Sequence, residues 1–134
     1  MKWILLSVLI VFSCSFLYSF FNKKNNLNLS KFSESIYDYS FNDIDGNEVF
    51  LNKYKDKRIL IVNVASKCGY TPQYEELQTL HQQYNQEIEI LGFPSNDFLW
   101  QEPEKNEEIK NFCESKYGVS FQLFEKSVVK KNKK

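Results

Sequence analysis

Three cysteines and one histidine, Cys14, Cys68, Cys113 and His81, hold most of the chain's capacity for covalent or metal chemistry. No two cysteines stand at metal-ligand spacing and His81 has no partner pattern near it, so no zinc site is expected. Two cysteines outside the apolar amino-terminal stretch do not make a disulfide framework. Cys68 lies in Asn63-Val64-Ala65-Ser66-Lys67-Cys68-Gly69-Tyr70-Thr71-Pro72, between an apolar run and a helical pattern. Sites in open α/β sheets gather at the carboxyl ends of strands. A helix amino-terminus offers unpaired N–H groups and a partial positive charge, and Lys67 adds another; all favour the thiolate, the reactive form. The competing reading is a buried structural cysteine, against which Gly69 argues by permitting close approach and a sharp turn from strand to helix. A dithiol of the C-x-x-C kind is ruled out, because Thr71 stands where the second cysteine would be. What remains is one-thiol chemistry, attack on an electrophile such as a peroxide to form a sulfenic acid.

The elements that must position Cys68 are legible on either side. Ile59 to Val64 is almost wholly apolar and β-branched, which predicts a central strand covered on both faces. From Thr71 the period changes, and Tyr74, Leu77, Leu80, His81 and Tyr84 fall at helical spacing. Pro72 suits a first helical turn, Glu75 and Glu76 suit the dipole, and His81 reads as an ordinary helix residue. Glu87 to Phe93 predicts a second strand. Asn106 is the expected cap of a second helix that Gly118 ends, and Val119 to Phe124 begins a further strand. Upstream, Ile36 to Phe41 alternates as a half-buried strand does. Asp45-Gly46-Asn47 is a turn signal before Val49-Phe50-Leu51, so a hairpin is expected. The order is a βαβ arrangement with a parallel pair.

At 134 residues and 43% hydrophobic, the chain has room for one domain with a core. Lysine plus arginine equals aspartate plus glutamate at 17 each, which gives no general pull toward nucleic acid. The run Lys130-Lys131-Asn132-Lys133-Lys134 reads as a solvated tail. Residues 1–21 read as a signal peptide or membrane anchor, because Trp3 to Phe21 is largely apolar between Lys2 and Lys23-Lys24. The protein is therefore expected to be exported or membrane-anchored, with Cys14 a plain apolar-segment cysteine. Residues 22–35 form a polar linker, and residues 36–134 the domain.

Three stretches together resemble the glutathione peroxidases. NVASKCGYTPQYEELQTLHQQY is similar to their peroxidatic-cysteine strand and helix. ILGFPSNDFLWQEPEKNEEIKNFCESKYGVSF is similar to their second strand, loop and helix, and FNDIDGNEVFLNKYKDKRILIVNVASKCG to their hairpin and first central strand. The resemblance implies an α/β, thioredoxin-like fold with a central mixed sheet flanked by helices. It implies reduction of hydroperoxides in the response to oxidative stress, with glutathione or a thioredoxin-like protein as reductant and no cofactor. It places Cys68 at the peroxidatic position. It also places Gln101, in Gln101-Glu102-Pro103, at the position of a glutamine that orients and activates that residue, as an amide donor can.

The departures carry expectations of their own. Asp97 stands where the family has glutamine, a carboxylate able to oppose thiolate formation near the pocket. Ser95 stands where cysteine is frequent, and Gln122 where proline is. Cys113 lies one place before a resolving-cysteine position that Glu114 occupies, so it reads as a possible resolving thiol or as core. The family continues past Lys126 with further strands, a helix and a WNF-type stretch that Trp100 does not replace. The chain thus reads as carboxyl-terminally incomplete, with an exposed sheet edge. The alternative function is a non-catalytic thioredoxin-like remnant or binding module.

Overall fold

Asp43 organises the first turn of the fold. Its Oδ1 accepts the backbone N–H groups of Asp45 at 2.9 Å and Asn47 at 2.8 Å, and Gly46 takes the positive φ of 86° that the turn requires. The hairpin so closed pairs β1 (Ser40–Asn42) with β2 (Glu48–Phe50), Phe41 opposite Val49. This is a computed structural model and describes residues 35–130. The signal-or-anchor segment, nearly all of the linker and the final lysines lie outside the described residues. Among the described residues no helix is long and apolar enough to cross a membrane.

The strand expected from Ile36 is shorter than its alternation suggested. Ile36–Asp38 is a 3-10 turn: Ser35 Oγ accepts the Tyr37 N–H at 3.3 Å, and the Asp38 carboxylate accepts the Ser35 N–H at 2.9 Å. Local side-chain capping satisfies backbone groups that a ladder would otherwise have used.

Beyond a second 3-10 turn at Leu51–Tyr54 come β3 (Arg58–Val64), α1 (Gln73–Tyr84), β4 (Ile88–Pro94), α2 (Asn106–Tyr117) and β5 (Gln122–Leu123). The sheet order is β3-β4-β5, all parallel, with Val64 level with Pro94 and Gly92 level with Leu123. Antiparallel pairing comes from the hairpin and an Asp43–Phe124 bridge. This is the expected βαβ arrangement in an α/β fold.

The centre of the sheet is a correction to the sequence reading. Among the described residues β3 pairs only with β4, and Leu60 and Ile61 are 36% and 51% exposed. The strand covered on both faces is β4, where neighbours Ile90 and Leu91 are both fully buried in different clusters. Ile90 faces Tyr74, Ile109 and Cys113 of the helices, while Leu91 faces Val49, Leu51 and Phe124. An apolar β-branched run reports affinity for a sheet, not a place within it. Gly92 marks the tight packing of β4, for a Cβ there would lie 2.8 Å from Leu123 Cδ2.

The helix ends also differ in detail. Pro72 stands just ahead of α1 as its cap residue. Asn106 is the first residue of α2, and its side chain accepts the Lys126 N–H at 3.0 Å instead of capping the helix. Gly118 ends α2 as expected, at φ 61°, with the Gly118 and Val119 N–H groups bonded to Glu114 and Cys113 carbonyls.

Candidate active site

The parallel order puts the carboxyl ends of β3 and β4 side by side, so the loops after them meet. Ala65 to Pro72 carries Cys68, and Ser95 to Lys105 carries Gln101. The first loop is held by Thr71. Its Oγ1 accepts the Cys68 N–H at 2.9 Å and donates to the Ala65 carbonyl at 2.8 Å. Successive bonds from Thr71, Gln73 and Tyr74 N–H groups to Cys68, Tyr70 and Thr71 carbonyls wind the chain into a tight turn before α1. Cys68 is therefore one turn ahead of the helix, half-buried, and its Sγ accepts the Tyr70 N–H at 3.4 Å.

Two features expected to serve Cys68 act otherwise. The Lys67 ammonium is paired with Glu104. Gly69 has no positive φ, and a Cβ on it would meet nothing within 4 Å, so sterics do not demand a glycine there.

Cys68 and Gln101 line one cleft of about 500 Å³. Its walls are Val62 and Val64 of β3, Tyr74 and Leu77 of α1, and Phe98 and Leu99 of the second loop. Leu99 and Trp100 hold positive φ values of 58° and 54° and are 83% and 80% exposed. Left-handed backbone costs a non-glycine residue roughly 1–2 kcal/mol. The hairpin-like bend survives because the residues around it are tied: Gln101 N–H to the Phe98 carbonyl, Glu102 N–H to Asn96 Oδ1, and the Gln101 carbonyl to Lys67 N–H.

Asp97 is the second correction. It does not line the cleft; its Oδ2 accepts the Val129 and Lys130 N–H groups at 2.7 and 2.9 Å. The Lys130 and Val129 bonds hold its carboxyl below the usual carboxylate range. Its charge is committed to the tail, not set against the thiol.

Cys113 is fully buried on α2, outside the cleft lining. Burial pushes its thiol up to about 11. The Tyr74 hydroxyl, buried near it, has no well-formed hydrogen bond among the described residues. His81 packs its ring edge-on to Phe121, a helix residue as expected.

Glu102 was missed in the sequence reading. It is fully buried, and its two oxygens accept the Ser66 N–H, at 2.7 Å, and the Ser66 hydroxyl. It shows no apolar periodicity with Phe98 to Trp100 before it, so burial offers no signal in sequence; the Pro103 beside it, which fixes a turn, is the only local cue.

Comparison with known proteins adds what geometry alone cannot. A family model described as glutathione peroxidase matches residues 36–134. A glutathione peroxidase homolog, BsaA, of Halalkalibacterium halodurans is 57% identical over 93 residues, 69% of this chain and 59% of the relative. A hydroperoxy fatty acid reductase of Synechocystis is 50% identical over 95 residues, 70% of this chain and 56% of the relative. The crystal structure of T. cruzi GPX1 is 33% identical with a TM-score of 0.53, over 74% of this chain and 59% of that one. A secreted Mycobacterium tuberculosis disulfide oxidoreductase shares the fold at a TM-score of 0.54 and 12% identity. The chain spans little more than half the length of the curated relatives it matches. With the matched segment covering every described element from the hairpin to β5, the chain belongs to the glutathione peroxidase family.

Proposed function

We propose that this chain carries the peroxide-reducing chemistry of a thiol peroxidase, with Cys68 as nucleophile and Gln101 as the donor beside it. The observation that supports this reading is the cleft: one half-buried thiol, approached by the Tyr70 N–H, shares its largely apolar lining with Gln101. The Cys68 sulfur attacks one oxygen of the hydroperoxide. An S–O bond forms, the O–O bond breaks, and the electron pair leaves on the other oxygen, which takes up the proton as alcohol or water. Sulfur is oxidised by two electrons to the sulfenic acid. Gln101 donates to the leaving oxygen as its charge develops.

A thiol then condenses with the sulfenic acid, an S–S bond forms and water leaves. A second thiol attacks that disulfide and returns Cys68. Glutathione or a thioredoxin-like protein supplies these thiols in our reading. Cys113 would need α2 to leave the core before it could resolve Cys68, so an outside thiol is favoured. The apolar walls suit hydroperoxides with a hydrocarbon chain, and such a substrate is named for the Synechocystis relative. In the same reading residues 3–21 take the chain to or through a membrane, which fusion of residues 1–35 to a compartment reporter tests.

The chemistry is tested by adding hydrogen peroxide to the reduced protein with a sulfenic-acid trap and locating the adduct by mass spectrometry. The adduct is expected on Cys68 and lost in Cys68→Ser. Gln101→Ala is expected to slow its formation by about tenfold to a hundredfold. Trapping at Cys113 alone would overturn the assignment.

A further inference from the structure

Two buried carboxylates stand out among the described residues, Glu89 and Glu102. Glu89 is answered by Lys57 at 2.9 Å. Glu102 has no ion pair among the described residues, and both its oxygens are instead taken up by one residue, Ser66, through N–H and hydroxyl. Burying a carboxylate without a cation is costly unless donors compensate. That cost is incurred where the two loops of the cleft join. Ser66 lies two residues before Cys68, and Glu102 directly follows Gln101. A parallel bond runs from the Lys67 N–H to the Gln101 carbonyl at 2.9 Å, and the Glu102 N–H anchors its own loop on Asn96 Oδ1 at 3.0 Å.

We propose that ionised Glu102 is a positioning residue that clamps the Cys68 loop to the Gln101 loop, so that thiol and amide meet the same bound peroxide. The proposal rests on the peroxidase reading for what is aligned, but the clamp itself is geometric. The Ser66 N–H needs an accepting oxygen in either form, whereas the hydroxyl donates to the ionised acid and must reverse and accept from a protonated one, so protonation exchanges two charge-assisted bonds for weaker neutral ones. The titratable and charged groups around it are Lys126 and Glu104 on the flanking segments, Tyr74 on α1 and Cys113 on α2. Lys126 itself is held on the Pro103 and Glu104 carbonyls, 3.2 and 2.5 Å away. Burial raises the Glu102 pKa, and the two Ser66 bonds only partly oppose it, so as pH falls the clamp starts to loosen before the pH at which an ordinary glutamate protonates.

The test measures two rates on the full chain, Cys68 oxidation by hydrogen peroxide and Cys68 alkylation by iodoacetamide, across about pH 5 to 9. Wild type is compared with Glu102→Gln, Glu102→Asp and Ser66→Ala, with circular dichroism to verify folding. Glu102→Gln is expected to slow peroxide oxidation about tenfold or more, because misplacement by an ångström is costly to an aligned reaction. Alkylation needs the thiol but no alignment with Gln101, and should change by less than about twofold. Thiol ionisation slows both reactions toward acid in every variant, so the ratio of peroxide oxidation to alkylation is the readout: it should fall toward acid in wild type and stay flat in the glutamine variant. Glu102→Asp should restore part of the rate, and Ser66→Ala should fall between.

Equal changes in both rates, or no change in either, in a folded variant overturn the clamp. If Glu102→Gln does not fold, Ser66→Ala, which keeps the carboxylate and the Ser66 N–H bond, decides on the same two rates. A wild-type Cys68 that is alkylated but inert to peroxide refutes the peroxidase reading instead. The clamp is then read from hydrogen exchange at the Ser66 and Lys67 amides, which Glu102→Gln should speed by about tenfold. Unchanged exchange overturns it.

Discussion

Cys68 and Cys113 are the same side chain in two environments, and their chemistry separates on that basis. Cys68 is half-buried on a loop with a backbone N–H directed at its sulfur. Cys113 is fully buried among Ile90, Ile109 and Tyr74, and burial pushes its thiol up to about 11. A buried thiol reacts only through opening of the structure that covers it. In the native protein iodoacetamide should therefore label Cys68 at least about a hundredfold faster than Cys113, and in denaturant the two should converge. Peptide mapping after timed quenching checks this. Comparable native rates would mean that α2 opens readily, which would return Cys113 to consideration as a resolving thiol.

At the scale of elements, β4 decides how well the site is supported. It runs between β3 and β5, is buried on both faces, and its carboxyl end leads into the Gln101 loop. Gly92 lies where the strand passes closest to its neighbours: a Cβ would sit 2.8 Å from Leu123 Cδ2 and 3.2 Å from Phe121 Cε2. Both contacts belong to side chains locked in the core. Gly92→Ala should thus cost about 1–3 kcal/mol by overpacking, despite alanine's gain in backbone stiffness. Urea unfolding followed by circular dichroism measures it, and an unchanged midpoint would show that β5 yields freely. The hairpin is held differently. Burial works to raise the Asp43 carboxyl, but hydrogen bonds from Asn47 and Asp45 and the Lys110 charge outweigh it and hold it low.

At the scale of the molecule, pH acts on these carboxyls in opposite senses. Asp43 is depressed in the folded state, so its contribution is present above the ordinary aspartate value and is lost as pH falls through the depressed one. Glu102 is raised, so the folded state holds its proton more tightly than the unfolded state. Stability then falls as pH rises from the ordinary glutamate value through the raised one. The difference in thermal midpoint between Glu102→Gln and wild type should therefore grow over that window, in favour of glutamine. A difference that is flat with pH would mean that Glu102 titrates normally. The β3 edge is the other whole-molecule feature. Its backbone groups on one side are unpaired among the described residues, Leu60 and Ile61 are exposed, and the chain has no net formal charge to oppose association. Ile61→Lys should reduce concentration-dependent light scattering and change unfolding free energy by no more than about 0.5 kcal/mol. Scattering unaffected by the lysine would place association elsewhere.

The sequence by itself determined the order of elements and the place of the nucleophile. Alternation, helical spacing, Gly46 and Gly118 are local signals, read within a few residues, and they put Cys68 on the loop after one strand and Gln101 on the loop after the next. Tertiary structure decided everything that depends on which element lies beside which. Among the described residues the apolar run of β3 lies at an edge and that of β4 at the centre, because hydrophobicity reports affinity for a sheet but not a place within it. Asp97 and Lys67 pointed at the thiol in sequence but are paired with the tail and with Glu104. Glu102, a charged residue on a loop, became a buried junction, because its partner Ser66 is 36 residues away and only the parallel register of β3 and β4 brings the two together.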